Sequence, residues 1–247
     1  MEPIFQKTFH IPTKAVDRFD RLKPSHILDY LQDVAGDHCA LLGTNRQALT
    51  PRNLFWAVLR HRVQIARLPR AGEDITLQTW PMPTTRTAYP RAAVAFDAGG
   101  NLLFRCVSLW VLMDTQKRTM VLPGNSGVEV GGIVRGDELA VPGSMALKHL
   151  GQEVRRTVRF TDLDWNGHMN NCRYLDWVAD TLPSSFHEGH SIKEFSVSYL
   201  SEAREGDAMT LHWELSEDGL LAVDGCRDEV NLSATHGRVF SARVLFQ

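Results

Sequence analysis

The stretch RAGEDITL at residues 70–77 recurs as REGDAMTL at residues 204–211. Arg, Gly, Thr and Leu are identical in the two stretches, and each lies 134 positions after its counterpart. A second window matches at a separation of 144: Tyr30, Leu31, Val34 and Ala35 against Tyr174, Leu175, Val178 and Ala179. Two windows in the same order indicate a tandem duplication. The ten extra residues of the first copy are assigned to the loop-like stretch TNRQALTPRN, residues 44–53.

Both copies show the same order of predicted elements, an early strand, one helix and then further strands. The early strands are predicted at Ile4–Ile11 and Val154–Phe160, the helices at about Ser25–Leu42 and Asn171–Leu182, and the next strands at Ile75–Trp80 and Met209–Trp213. This order is typical of an α+β unit in which an antiparallel sheet wraps around one helix. The predicted domains are residues 1–130 and 151–247, joined by a linker at residues 131–150.

Composition places the chain among ordinary globular proteins, with 43% hydrophobic and 23% charged residues. The net charge of −2 gives no bulk positive field for nucleic acid. We expect no membrane span, because no run reaches 18 apolar residues, and no signal or transit peptide at the start MEPIFQKTFHIPTK. Four widely spaced cysteines without a CxxC pair argue against a disulfide framework or a zinc site. They predict a cytoplasmic protein with reduced thiols.

The densest polar cluster is TDLDWNGHMNN, residues 161–171, between a predicted strand and a predicted helix. Asp164, Asn166 and His168 alternate, so in an extended loop they are expected to face one side. Backbone N–H groups around residues 168–170, at the start of the helix, are expected to stabilise an oxyanion. The same residue types also suit a turn and a helix cap, which is the alternative interpretation.

Comparison of the two copies favours the functional interpretation of this cluster. At the separation of 144, Asp164, Asn166 and His168 correspond to Asp20, Leu22 and Pro24. The first copy thus starts its helix without Asn or His, so capping does not demand them.

Glu202 provides a similar contrast at the separation of 134, where its counterpart is Leu68. An acidic residue replaces an apolar one just before the shared turn. The alternative is a solvated turn carboxylate beside Arg204.

The stretch DLDWNGHMNNCRYLDWV, residues 162–178, resembles the signature of acyl-acyl carrier protein (acyl-ACP) thioesterases. That signature has the form D-L-D-x-N-x-H-x-N-N-x-x-Y, and every fixed position is filled from Asp162 to Tyr174. The resemblance implies a double hotdog fold, with two antiparallel sheets each wrapped around a long helix. It also implies hydrolysis of fatty acyl-ACP to free fatty acid, which ends chain elongation, without a metal or other cofactor.

The resemblance further implies that Asp164, Asn166, His168 and Glu202 are catalytic. In the preferred scheme Glu202 is the general base for an attacking water; in the alternative it is a nucleophile that forms a mixed anhydride. Ala203 stands where plant members commonly have Cys, which excludes a cysteine nucleophile at that position. Cys39 and Cys172 are predicted to be small core residues.

Substrate contacts are likewise implied by the resemblance. The acyl chain is expected between helix and sheet of the first copy, lined by Leu31, Val34, Phe55, Trp56, Val58 and Leu109. The carrier protein is acidic, so basic residues are expected to bind it: Arg155, Arg156 and Arg204. Association of two chains into a homodimer is left open.

Three other functions compete with this interpretation. A hotdog thioesterase acting on acyl-CoA has the same fold and most of the chemistry. A non-catalytic acyl-binding protein does not need the polar residues to converge. A hotdog dehydratase pairs His with an acid on the central helix, whereas the cluster here precedes the helix.

Overall fold

The computed structural model describes residues 3–145, 150–228 and 237–247. The chain divides into two compact units, Met1–Pro142 and Gly143–Gln247. This division falls inside the stretch that the sequence suggested as a linker.

The first unit is a curved antiparallel sheet with a long helix. Its elements are β1 (Phe5–His10), α1 (Pro24–Leu41), α2 (Arg46–Leu49), β2 (Leu54–Ile65), β3 (Asp74–Pro81), β4 (Tyr89–Asp97), β5 (Leu102–Asp114), β6 (Met120–Val121) and α3 (Pro123–Ser126). The strands are ordered β1–β3–β4–β5–β2, and β6 pairs with β5.

The second unit repeats this plan with shorter helices. Its elements are β7 (Gln152–Thr157), α4 (Arg173–Ala179), α5 (Ser184–Gly189), β8 (Ile192–Tyr199), β9 (Ala208–Leu215), β10 (Leu220–Arg227) and β11 (Arg238–Phe246). The strands are ordered β7–β9–β10–β11–β8. In both units the order is first, third, fourth, fifth, second, which confirms the duplication and the α+β class.

The repeated turn at residues 70–77 and 204–211 has one geometry. Gly72 and Gly206 have φ angles of 85° and 87°, a left-handed conformation that favours glycine. Their N–H groups donate to the carbonyls of Ile11 and Val158, at 2.8 and 3.0 Å. The 134-residue separation is therefore a true structural equivalence.

The helices correspond at a separation of 147, and the predicted match of Tyr30 with Tyr174 is wrong. At a separation of 147 residues, four positions are buried in both helices. They are Ser25, Ile27, Leu28 and Leu31 in α1, which correspond to Cys172, Tyr174, Leu175 and Val178. The side-chain contacts His26–Asp29 and Arg173–Asp176, at 3.1 and 2.9 Å, also coincide. At a separation of 144 residues, the buried Trp177 would instead correspond to the exposed Asp33.

Helix α4 is shorter than the predicted Asn171–Leu182. At its start the Asn170 side chain accepts a hydrogen bond from the Cys172 N–H at 2.9 Å, so a turn precedes the helix. Beyond its end lies Pro183, whose ring disfavours helical geometry at Leu182.

Most of the predicted loop at residues 44–53 is helical, from Arg46 to Arg52. The Asn45 side chain caps α2 by accepting from the Ala48 N–H at 3.1 Å, and a 3₁₀ turn follows at Thr50–Arg52. Leu49 anchors the segment in a buried cluster, whose other buried members are Leu54, Tyr89, Leu112 and Val128. Burial of this leucine explains why the insertion folds.

Candidate active site

The polar cluster of the second unit forms a tight hairpin loop. One oxygen of Asp164 accepts hydrogen bonds from the N–H groups of Asn166 and His168, at 2.8 and 3.2 Å. The Asp164 N–H donates to the His168 carbonyl at 2.7 Å, and Gly167 turns the chain with φ 77°. The expectation of an extended loop was wrong, because the Asp164 carboxylate folds the backbone around itself.

The first unit contains the same loop 147 residues earlier. Asp17 accepts from the N–H groups of Phe19 and Arg21, at 2.8 and 3.0 Å, and its own N–H donates to the Arg21 carbonyl at 2.8 Å. Asp20 has φ 59°, in the place of Gly167. The loop thus has one design in both units, built on an aspartate.

The structural counterparts of the cluster are therefore not those inferred from sequence. Asp164 corresponds to Asp17 rather than Asp20. Asn166 corresponds to Phe19 rather than Leu22, and His168 to Arg21 rather than Pro24. The first unit forms the same loop with neither Asn nor His at these positions, so folding of the loop does not require Asn166 or His168. The aspartate is the residue that the loop itself requires.

His168 meets Glu202 although 34 positions separate them. The imidazole Nε2 lies 3.2 Å from a Glu202 carboxylate oxygen, and the two side chains are 19% and 41% exposed. The backbone fixes this contact, because the buried Met169 donates its N–H to the carbonyl of the buried Ala203 at 2.8 Å. Arg204 lies 3.9 Å from the same Glu202 oxygen. The geometry is a histidine–carboxylate pair that solvent reaches.

Asn166 stands at the exposed tip of the loop. Its Nδ2 donates to the second oxygen of Asp164 at 3.3 Å. Asp164 therefore orients the Asn166 amide as well as the loop backbone. A carboxamide nitrogen carries two hydrogens, so the same group can also donate to a substrate carbonyl.

The predicted backbone oxyanion hole is contradicted by the hydrogen bonds of the loop. The N–H groups of His168, Met169 and Asn170 donate to Asp164, to Ala203 and to the Asp162 carbonyl respectively, at 3.2, 2.8 and 2.8 Å. All three amides are thus used within the protein. These three amides therefore do not supply the oxyanion hole, and the side chains of Asn166 and His168 are the candidate donors to the carbonyl oxygen.

Of the six residues predicted to line the acyl slot, two lie on α1, and the other four lie on both faces of the first sheet. Leu31 and Val34 are buried on α1. Trp56 and Val58 lie on the sheet face that carries Tyr89, as the strand register shows. Arg91 identifies that face as the one toward α1, because its Nη1 lies 3.1 Å from His38 Nδ1.

Phe55 and Leu109 cannot line a slot between α1 and the sheet. Side chains alternate between the faces of a strand, so Phe55 lies opposite its neighbour Trp56. Leu109 likewise lies opposite Trp110, the cross-strand partner of Val58. The alternation of side chains along a strand therefore excludes Phe55 and Leu109 from the lining of the acyl slot.

The three arginines predicted to bind the carrier also separate. Arg155 and Arg156 are consecutive in β7 and so point to opposite faces. Arg156 contacts Asp180, just after α4, at 3.1 Å. Arg155 is exposed, and the Arg204 side chain is 65% exposed, so these two remain available for a partner.

All four cysteines are in the thiol form, outside any disulfide, and Cys106 and Cys172 are buried. Burial raises the pKa of Cys106, which disfavours its reactive thiolate. Cys39 and Cys226 are half-buried, and burial also raises the pKa of Cys226. Ala203, beside Glu202, is itself completely buried.

Within the described ranges, no cluster of three or more His, Cys, Asp or Glu side chains is arranged to hold a metal ion. Of the helices in this part of the chain, none has the length and apolar character needed to cross a membrane.

Replacing Asp164 and Asp17 by alanine separates the structural role of the aspartate from the chemical role of its loop. Both variants lose the hydrogen bonds that shape the loop, so each is expected to lower the free energy of unfolding by about 2 kcal/mol. The catalytic turnover expected from the sequence resemblance should fall by about tenfold or more for Asp164→Ala only, since Asn166 and His168 lose their support. Denaturant unfolding and turnover assays check this; equal loss of turnover in both variants would contradict it.

The fold and the site now define the class of protein. Two units with one strand order, the second carrying a histidine–carboxylate pair, make this a tandem hotdog protein. The family profile of the acyl-ACP thioesterase N-terminal domain matches residues 2–122, and that of the C-terminal domain matches residues 147–236. The chain belongs to the acyl-ACP thioesterase family.

Individual relatives agree with this assignment. The chain is 26% identical over 248 residues to a chloroplastic dodecanoyl-[acyl-carrier-protein] hydrolase of Cinnamomum camphora, covering 94% of this chain and 63% of the relative. It thus spans less than two thirds of that protein's length. An acyl-ACP thioesterase structure from Bacteroides thetaiotaomicron superposes with a TM-score of 0.89, at 22% identity and with 99% and 98% of the two chains covered.

A second structure, the 12:0-ACP thioesterase from Umbellularia californica, gives a TM-score of 0.82 at 24% identity. It covers 100% of this chain and 98% of the other. These two likenesses establish the double hotdog fold.

Proposed function

We propose that this protein hydrolyses the thioester of fatty acyl-ACP, releasing free fatty acid and carrier protein. The observation that carries the proposal is the 3.2 Å contact between His168 and Glu202. In the first unit the loop position of His168 is taken by Arg21, and the position of Glu202 by Leu68. The loop of the first unit forms the same backbone hydrogen bonds without the pair, so the pair is not needed to fold it, which points to chemistry.

The proposed reaction begins with a water molecule beside Glu202. The carboxylate accepts a proton as the water oxygen attacks the carbonyl carbon. Asn166 donates its Nδ2–H to the developing oxyanion, while Asp164 holds the amide. As the C–S bond breaks, His168 delivers a proton to the departing thiolate and recovers one from Glu202. The sum is one water and one thioester converted to one acid and one thiol.

The alternative chemistry makes Glu202 the nucleophile. Its oxygen attacks the carbonyl, the thiol leaves, and water then opens the mixed anhydride. Single turnover in ¹⁸O-labelled water detects the anhydride route when water opens the anhydride at the protein carbonyl, and trapping of the acylated Glu202 with hydroxylamine detects it when water opens the anhydride at the substrate carbonyl. Direct attack leaves the Glu202 carboxylate unlabelled, whereas opening of the anhydride at the protein carbonyl transfers ¹⁸O to it.

A ladder of acyl carrier proteins tests the proposed function. Incubation with carriers bearing acyl groups of increasing length, followed by measurement of the free acids, should show release with a preferred length. The same acyl group on CoA should react with lower kcat/KM. A preference for CoA would support the acyl-CoA thioesterase, and binding without release would support the acyl-binding protein.

The remaining parts of the proposal concern substrate binding and location. We place the acyl chain between α1 and the first sheet, against Leu31, Val34, Trp56 and Val58. The burial of Leu31 and Val34 on α1, and the half-burial of Trp56 and Val58 on the facing sheet, support this placement. Four cysteines in the thiol form support a reducing compartment, which we take to be the cytoplasm.

A variant with every cysteine replaced by alanine or serine should retain most of its turnover. The proposed steps use no thiol, and two of the four sulfurs are buried. Turnover of the folded variant, with circular dichroism as the check on folding, measures this. Abolished turnover in a folded cysteine-free protein would revive a cysteine nucleophile.

A further inference from the structure

Two exposed aromatic side chains lie beside the catalytic loop. Phe160 is 77% exposed and Trp165 is 68% exposed. Every other Phe and Trp in the described part of the chain is buried or half-buried. Trp165 lies between Asp164 and Asn166, and Phe160 opens the 3₁₀ turn that leads into the loop. The most exposed aromatic surface of the chain therefore lies at the proposed site.

The folding of the loop does not account for these two residues. In the first unit Thr13 opens the matching 3₁₀ turn, and Arg18 occupies the position of Trp165. Both turns close through the same backbone hydrogen bond, at 2.9 Å in each. Since the twin loop forms without aromatics, their exposure marks a surface that meets something else.

Charged side chains of both signs lie around the two aromatics. Arg159, next to Phe160, is exposed, and the Arg204 side chain is 65% exposed. The carboxylates of the turn and loop are used within them: Asp162 accepts from the Arg159 N–H at 2.9 Å, and Asp164 accepts from its own loop. Glu202 and Glu205, on either side of Arg204 in the sequence, are also exposed, and a Glu202 oxygen lies 3.9 Å from the Arg204 guanidinium group. Aromatic residues and arginine are the types enriched at protein–protein contacts.

We infer that Arg159, Phe160, Trp165 and Arg204 form the docking surface for the acyl carrier protein, and we call it the aromatic–arginine surface. The inference rests on the proposed function and names the part of the site that holds the protein body of the substrate. The carrier must bring its acyl thioester to the His168–Glu202 pair, so its protein body lies against the surface that flanks this loop. Acidic residues of the carrier complement the two exposed guanidinium groups.

The test uses variants that remove the aromatics without disturbing the loop. Phe160→Thr installs the residue of the twin loop, and Trp165→Ala removes the indole. With acyl-ACP, the double variant should show a KM raised about tenfold or more and a kcat within about twofold of the parent, because aromatic residues are the usual anchors of protein–protein contacts. With the same acyl group on pantetheine, kcat/KM should stay within about twofold of the parent value.

Leu41→Ala is the matched control, since Leu41 is a 58% exposed apolar residue of the first unit. It should leave both substrates unaffected. An equal loss with acyl-pantetheine would overturn the inference, because the aromatics would then contact the arm rather than the carrier. An unchanged KM for acyl-ACP would also overturn it, whether or not the double variant changes self-association or vesicle binding.

A direct binding measurement tests the docking surface independently of whether the protein hydrolyses acyl-ACP. Fluorescence anisotropy of labelled holo-carrier should show about tenfold weaker binding by the double variant than by the parent. If the parent hydrolyses no acyl-ACP, the proposed function fails. Docking is still supported by weakened binding of the double variant, and it is overturned by unchanged or undetectable binding.

Discussion

Glu202→Gln is expected to lower kcat on acyl-ACP by about 10²–10⁴-fold, the usual contribution of a general base. The amide has nearly the size of the carboxylate but cannot take a proton from water. Its side chain is 41% exposed, so the substitution leaves no buried charge unpaired and folding should persist. Carrier binding should barely change, because the aromatic–arginine surface is intact. Stopped-flow or steady-state release of free acid measures the effect.

Leu68 provides the control for this variant, because it occupies the position of Glu202 in the first unit. Leu68→Met should be nearly silent in catalysis. A Glu202→Gln protein with full activity would refute the base and the nucleophile roles together. Asn166 and His168 would then have to act without a carboxylate.

The duplicated sheet could be predicted because its signals lie in the chain itself. Gly72 and Gly206 occupy turns that need a positive φ angle, so the glycines recur in register. The alternating strands that follow them, β3 and β9, have the predicted boundaries to within two residues at each end. Features that depend on local backbone conformation, such as these turns and strands, are the ones that a single sequence predicts best.

The helix register could not be obtained from identity alone. Apolar residues recur every three or four positions on a helix, so a shift of three keeps the apolar stripe on itself. The identities of Tyr30 and Tyr174 favoured the separation of 144, whereas the burial of Trp177 requires 147. The pattern that reveals the correct register is apolar-Asp-x-x-(Asp or Gly)-basic-apolar, at residues 16–22 and 163–169.

The sequence predicted which side chains form the candidate site, but not which groups can donate hydrogen bonds to an oxyanion there. His168 and Glu202 stood out because their counterparts lack the chemistry, and the structure brings them together. Whether a backbone N–H is available depends on partners distant in the chain, such as the Ala203 carbonyl that binds Met169. The sequence does not specify those partners, so the prediction of an oxyanion hole made of backbone N–H groups was wrong.

His168→Ala is expected to lower kcat on acyl-ACP by about 10²–10³-fold, within the range for a general acid or base. The variant removes the group that faces Glu202 and protonates the thiolate. Its loop should persist, since Asp164 holds the backbone through N–H groups that alanine retains. Arg21→Ala is the matched control at the same loop position. It breaks the 3.1 Å pair with Asp17, at a cost of about 1 kcal/mol or less, and should leave turnover unchanged.

The leaving group identifies which role His168 plays. An aryl thioester releases a thiolate of low pKa that needs no proton, so the loss in His168→Ala should shrink to about tenfold or less with that substrate. If the imidazole instead polarises the carbonyl, alkyl and aryl thioesters should lose rate equally. Equal loss would therefore contradict proton delivery while keeping His168 in the site. An undiminished rate with both substrates would remove His168 from the chemistry and leave its contact with Glu202 as a structural pair.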